Sequence, residues 1–321
     1  MRGREGKLSF PFILSGGLMY IESIIEEARD LLGDTKAPYL WSEKEMLRSY
    51  KNVINEFCRE TFIYTDETTE GVCYIYLLPG VASYTLSPYV LAINSGYLST
   101  NKSPVYPISQ KILNEVSYDW RSATGTPYRF IPNIEQQKIR VYPYYLLTQD
   151  AYFIGASNAT FAVTANTITV AAGGFTAAGF AADDHIVISG TTLNNGDFTI
   201  HTVTNTIITT HEALATEALT SADIRTIVDT MIMNVSRLPD MSALTVDTWD
   251  TTSPPIQERW HSKLVPGILA QSLRKRDSET FDIKELDRAQ AEWASVIQDA
   301  KRDVILLSDD GERFNPNEGA L

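Results

Sequence analysis

Cysteine is almost missing from this chain, with Cys58 and Cys73 the only two among 321 residues. They form no CxxC, and a chain this long with 44% hydrophobic residues can bury a core without a disulfide. Both are expected as buried free thiols flanking a helix-to-strand junction. Histidine is nearly as scarce, at four residues. The run Asp183-Asp184-His185 is a poor cation site, because neighbouring strand residues point to opposite faces. His201 stands alone, and His211-Glu212 opens like a zinc-protease motif but has Ala215 where the second histidine belongs. There is no P-loop, no G-x-G-x-x-G and no G-x-S-x-G. No cofactor, metal or catalytic residue is therefore expected, and the chain reads as something other than an enzyme. Paired acids such as Glu26–Glu27 read as a solvated helix exterior, although acids from distant segments could still converge for glycoside hydrolysis.

Positive charge is also in short supply: 27 Lys and Arg face 40 Asp and Glu, a net charge of −13. The longest basic run is Arg274–Lys275–Arg276. A firm hold on DNA needs clustered cations, so stable DNA binding is excluded, whereas lining a passage through which DNA slides is not. No apolar run reaches 18 residues, so no membrane span is expected. The N-terminal MRGREGKLSFPFILSGGLM imitates a secretory signal, but its apolar run is short and broken by Pro11 and Gly16–Gly17. Residues 1–18 read as an N-terminal arm, with Met19 a second possible start.

What is present begins with two amphipathic helices. Ile21, Ile24, Ile25, Ala28, Leu31 and Leu32 make one apolar stripe, stopped at Gly33. Ser42 and Glu45 have capping-box spacing, Trp41 can staple onto Met46, and Leu47, Tyr50, Val53, Ile54, Phe57 and Cys58 continue the packed face. From about residue 71 the period becomes two. CYIYLLPGVASYTL reads as strand, turn, strand, and KIRVYPYY as a strand that Pro143 places at an edge or an end. SYDWRSATGTPYRFI between them reads as a compact stretch turned by Gly125 and Pro127.

At about residue 151 the composition shifts. Residues 151–227 hold no Lys, one Arg and 16 Thr, with strand-like runs such as NTITV and HIVIS and a hairpin cue at Asn195-Gly196. This segment reads as an inserted small all-β domain. With it excised, VYPYYL would run on to MIMNVSRLP, two strands expected in one sheet.

Helical pattern returns after Pro254–Pro255, with Ile256, Trp260 and Leu264 recurring every four residues and Glu258, His261 and Lys263 off that line. The last helix begins at Asp282 and Glu285, Phe281 can staple onto Leu286, and Trp293, Ile297, Ala300 and Val304 extend its apolar face. The ions crowded into ERWHSKLVPGILAQSLRKRDSETFD thus read as helix ends and solvent faces around a helical hairpin. Trp260, Leu264, Phe281, Leu286 and Trp293 are its packing candidates; the two tryptophans suit a core or a subunit interface. The fold expected is α+β: a helical bundle built from the N- and C-terminal helices with a β-rich segment, 19–150 and 228–307, plus the insertion at 151–227 and a polar tail at 308–321.

WSEKEMLRSYKNVINEFCRET, then LLPGVASYTL, VSYDWRSATGTPYRFI and KIRVYPYY, then PPIQERWHSKLVPGILAQSLRKRDSETFD with AQAEWASVIQDAKRD, resemble in their order the head-to-tail adaptor (connector) proteins of tailed bacteriophages. These motifs are structural, and they cover most of 19–150 and 228–307. The resemblance implies a virion protein at the head-tail junction, assembled in the host cytoplasm into a homo-oligomeric ring, usually a dodecamer. Its partners would be the portal protein and a tail nozzle or tail tube protein, with fibres a further candidate. Double-stranded DNA would pass through without specific binding during ejection. The Thr-rich insertion is foreign to the simplest adaptors. In the tail, Asp309, Asp310, Arg313 and Phe314 are the candidates for portal contact. Two alternatives stay open: a distal tail component such as a nozzle or fibre-attachment protein, and a carbohydrate-acting enzyme with a β accessory domain.

Overall fold

The structure, a computed structural model, describes residues 19–145, 153–162, 165–275 and 282–307. The expected arm at 1–18, the tail candidates Asp309, Asp310, Arg313 and Phe314, and Phe281 lie outside these residues. The architecture is mixed α+β and divides into two compact units. One comprises the chain up to Tyr64 together with Pro239–Leu307, and the other Thr65–Leu238.

The first unit opens with α1 (Ile21–Leu32) and α2 (Glu43–Thr61). Helix α1 buries Ile21, Ile24, Ile25 and Ala28 and ends on Gly33, whose φ of 69° is the left-handed conformation that terminates helices. Leu31, placed on the apolar stripe by its spacing, is instead 46% exposed, because only Leu32 of that turn reaches Ala270 and Leu273. In the α1–α2 loop, Asp34 forms a buried ion pair with Arg29 at 2.7 Å and accepts from the Leu40 and Trp41 amides. Both bonds of the Ser42–Glu45 capping box are made. They hold the Glu45 carboxyl below its usual pKa, the Ser42 amide being the main cause.

Between the units' two crossings the chain runs through β1 (Thr65–Asp66), α3 (Glu70–Cys73), β2 (Tyr74–Leu77), β3 (Ser83–Thr85), β4 (Val90–Leu98), β5 (Tyr106–Pro107), α4 (Gln110–Val116), β6 (Arg129–Glu135) and β7 (Lys138–Tyr142). It continues through β8 (Phe153–Ala162), β9 (Thr167–Val170), α5 (Phe175–Ala178), β10 (His185–Ser189), β11 (Gly196–Val203), β12 (Ile207–Thr210), β13 (Glu217–Thr226) and β14 (Asp229–Arg237). Strand β14 is the centre of one sheet, pairing with β1, β2 and β4; the second sheet has the order β3-β7-β6-β5. Their inner faces share one core, in which Ile75, Leu98, Met231 and Met233 meet Phe130, Ile139 and Val141. Cys58 and Cys73 are free and buried, and burial pushes their thiols up to about 12 and about 11. At neutral pH both are protonated and unreactive.

Strands β7 and β14 do not share a sheet, contrary to the reading of VYPYYL and MIMNVSRLP. Each already has neighbours on both sides, β7 between β3 and β6 and β14 between β4 and the β1/β2 pair, so neither has an edge to offer. Strand β7 ends immediately before Pro143, which cannot donate to a ladder.

Strands β8 to β13 close into a six-stranded antiparallel barrel of order β10-β11-β12-β9-β8-β13. Alternation sends Ile186, Ile188, Ile200, Ile208 and Ile224 inward around Phe161, Phe175 and Phe180, and Thr outward on many of the same strands. The β10–β11 hairpin turns through residues 190–195, and Gly196 is already paired with Ile188. Asn194 side-chain bonds to Ala215 and Glu217, together with Glu217 bonds to the Thr192 and Leu193 amides, fix that loop.

Back in the first unit, the helix expected from Pro254–Pro255 onward is replaced by two 3-10 turns, Glu258–Trp260 and Ser262–Leu264, followed by the short α6 (Val265–Ser272). Pro266 in the first turn of α6 cannot continue a longer ladder, so the α-helix starts there. The change of period has a consequence for His261, expected off the apolar line. At three residues per turn it falls on the side of Leu264, and it is 3% exposed, with Nε2 on the Ile256 carbonyl at 2.9 Å. Helix α7 (Ile283–Leu307) begins with Asp282 accepting from the Lys284 and Glu285 amides, and buries Trp293, Ile297, Ala300 and Val304.

Candidate docking surface

The packing candidates lie together. Trp260, Leu264 and Trp293 are buried, and the two indoles flank Phe57 of α2 at ring-centroid distances of 5.6 and 5.7 Å. A Cβ on Gly267 would stand 2.7 Å from Val53 and 3.0 Å from Trp293, so this glycine is what lets α6 approach so closely. Leu286 is half-buried against Ala270, Leu273 and Ala289. These side chains pack against their neighbours on α2, α6 and α7.

His185, His201 and His211 lie on the barrel strands and their loops. His201 and His211 stack edge-on at 4.6 Å, His185 Nδ1 lies 3.3 Å from the Thr199 hydroxyl, and the Glu212 carboxylate accepts from the Thr199 amide. No group of three or more His, Cys, Asp or Glu among the described residues is placed to hold a metal ion. The Asp184 carboxylate is engaged by the Ala181 amide. A cavity lined by Leu86, Val90, Ile93, Phe130 and Pro132 holds about 50 Å³, space for a few waters and far short of an organic substrate.

The surface with the strongest recognition chemistry lies on the stretch SYDWRSATGTPYRFI and the strands beside it. The outer face of the β3-β7-β6-β5 sheet carries Arg129, Ile131, Arg140 and Tyr142, since Phe130, Ile139 and Val141 alternate to the inner core. Leu113 of α4, Ile131 and the buried Trp120 pack on this face, and Trp120 Nε1 donates to Asn114 at 2.9 Å. Around that anchor arginines and rings interleave. The guanidinium carbons of Arg121 and Arg140 stand 4.3 and 5.4 Å from the centre of Trp120, and Tyr142 meets Trp120 edge-on at 6.4 Å. Tyr128 follows at 5.8 Å from Tyr142, and Arg129 lies 5.2 Å from Tyr106 and 5.8 Å from Tyr128. Burial, with Tyr142 alongside, raises the Tyr128 phenol above its usual pKa, and burial lowers that of Arg140.

Much of this region is open. Tyr106 and Tyr128 are 54% and 51% exposed, Ile112 and Val116 on the outer side of α4 are 49% and 78% exposed, and Tyr118 is fully exposed. Among the described residues, Arg121, Arg129 and Arg140 form no ion pair with a carboxylate. Residues 102–145 carry six basic and three acidic side chains, while the rest of the chain carries 21 basic and 37 acidic ones. Exposed tyrosines with arginines on a hydrophobic base are the composition of binding hot spots. No family model matches the sequence, and no curated protein matches it.

Proposed function

We propose that the chain is a head-to-tail adaptor of a tailed bacteriophage, a structural virion protein that docks on the portal, joins it to the tail and lines the DNA passage. The observation that carries this reading is topological. Helices from both chain ends share one compact unit, and the β-rich remainder is inserted between them. In this reading α1, α2, α6 and α7 form the helical bundle of the adaptor body. Contacts in keeping with that are the Phe57–Trp260 and Phe57–Trp293 pairs and the Lys301–Glu60 and Arg259–Asp303 ion pairs. The net charge of −13 suits the passage, since an acidic wall repels phosphate and lets DNA slide. The barrel is an appendage whose removal leaves assembly intact, and the 308–321 tail is the portal-binding segment.

Electron cryomicroscopy of the virion tests the proposal directly: density for this chain is expected as a ring, twelve-fold in the usual case, between portal and tail tube. Density at the distal tail tip, or none in the particle, overturns it. Deleting 308–321 is expected to weaken capture by purified portal at least tenfold, and unchanged capture removes the tail from the portal contact.

A further inference from the structure

We infer that the arginine–aromatic surface of the β3-β7-β6-β5 sheet and α4 docks a second copy of this chain through that copy's acidic exterior. The inference rests on the adaptor reading only in that a ring needs such contacts; the surface is defined by its own chemistry. Among the described residues, three arginines without carboxylate partners are held among rings, in a molecule with a large excess of acids. Fixed cations beside exposed apolar rings match an acidic, half-apolar surface, and a second copy supplies acidic surface, since outside 102–145 the chain carries 37 acidic and 21 basic side chains.

Charge also decides the geometry of the contact. Two identical basic patches repel, so a self-complementary two-fold pairing is disfavoured. The patch meets a different, acidic region of its neighbour, a head-to-tail contact that propagates into a closed ring or a filament. The arginines steer and orient the encounter, and the rings and Ile112, Val116 and Tyr118 supply the area removed from water.

Tyr118 and Val116 make the cleanest probe, because both project from the surface and their loss leaves the core untouched. Sedimentation velocity of the wild-type chain at low and high salt is compared with Val116→Ser/Tyr118→Ser and with Arg121→Glu/Arg129→Glu. The wild type is expected to associate at low salt and to dissociate as salt rises. Both variants are expected to keep the wild-type circular dichroism and to weaken association by at least tenfold. Because the contact is head-to-tail, the serine variant still presents its acidic face. Mixed with the wild type, it is expected to form a heterodimer of wild-type affinity and to cap further growth. A wild type that stays monomeric throughout, or variants that associate as it does, overturns the inference and leaves the adaptor reading to be judged by position in the virion. Binding of a labelled oligonucleotide that the arginine variant loses, without self-association, overturns it in favour of nucleic acid.

Discussion

The barrel and the helical unit solve the burial problem in opposite ways. Barrel closure pairs every strand with two neighbours, and its hydrophobic core is filled by Ile, Val, Leu, Ala and Phe. The helices meet through large amphipathic rings. Among the described residues, the buried side-chain nitrogens and oxygens lacking a hydrogen-bond partner are Tyr50 Oη, Trp260 Nε1, His261 Nδ1 and Trp293 Nε1, all in the helical unit. Each such group costs about 1–3 kcal/mol, so the aromatic clasp must be held by contact area rather than by polar pairing. Where the barrel does use buried polar groups, as at Asn194, they are fully engaged.

The contrast can be broken most forcefully at Trp260. Trp260→Ala is expected to cost about 3–5 kcal/mol, with hydrogen exchange accelerated in α2, α6 and α7 and unchanged in the barrel strands. Equal acceleration in the barrel would erase the distinction. Next is Asn194→Ala, which strips partners from Ala215 and Glu217 and is expected to lower stability by about 1–3 kcal/mol in urea unfolding. A smaller, pH-dependent effect is expected at Asp66. Burial would raise its carboxyl, but bonds from Thr69 and Thr68 outweigh that and hold it well below the usual carboxylate range. A depressed folded pKa contributes stability above the unfolded value of about 4 and loses it as pH falls further. Asp66→Asn should therefore flatten the acid limb of the stability curve, and an unchanged limb would remove Asp66 from it. In the opposite direction, Tyr50→Phe is expected to raise stability by up to about 1–3 kcal/mol, since the deleted hydroxyl has no partner. A loss above 1 kcal/mol would show that this hydroxyl is engaged after all.

Which of these features could be read in advance follows from the range of the forces involved. The Ser42–Glu45 box, the Gly33 stop, the Asp282 cap and the isoleucine alternation of the barrel are local, each set by residues within a few positions, and they appear where expected. Sheet membership is not local: β7 and β14 are equally strand-like, and only the saturation of their ladders keeps them apart. His261 is buried because residues 258–264 wind as 3-10 turns rather than with the α-helical period that the spacing of Ile256, Trp260 and Leu264 suggests. The arginine–aromatic surface left a compositional trace, six basic to three acidic residues with eight aromatics in 102–145, which was masked by the acidity of the whole. Its interleaving needs strand register to be seen, since Arg129 meets Tyr106 across a parallel pair.

One feature of the chain's path reaches beyond stability. Thr65 and Asp66 leave the helical unit beside Val235 and Ser236, which return to it, and the Asp66–Arg237 ion pair at 2.7 Å ties the outgoing and incoming strands. The barrel repeats the arrangement one level down, with Phe153 opposite Arg225. Each β-rich body therefore begins and ends on a single doorstep, so either could be exchanged for another with neighbouring termini at the cost of two splices. The helices at the two chain ends would need no rerouting for such an exchange, because the outgoing and incoming strands already lie side by side.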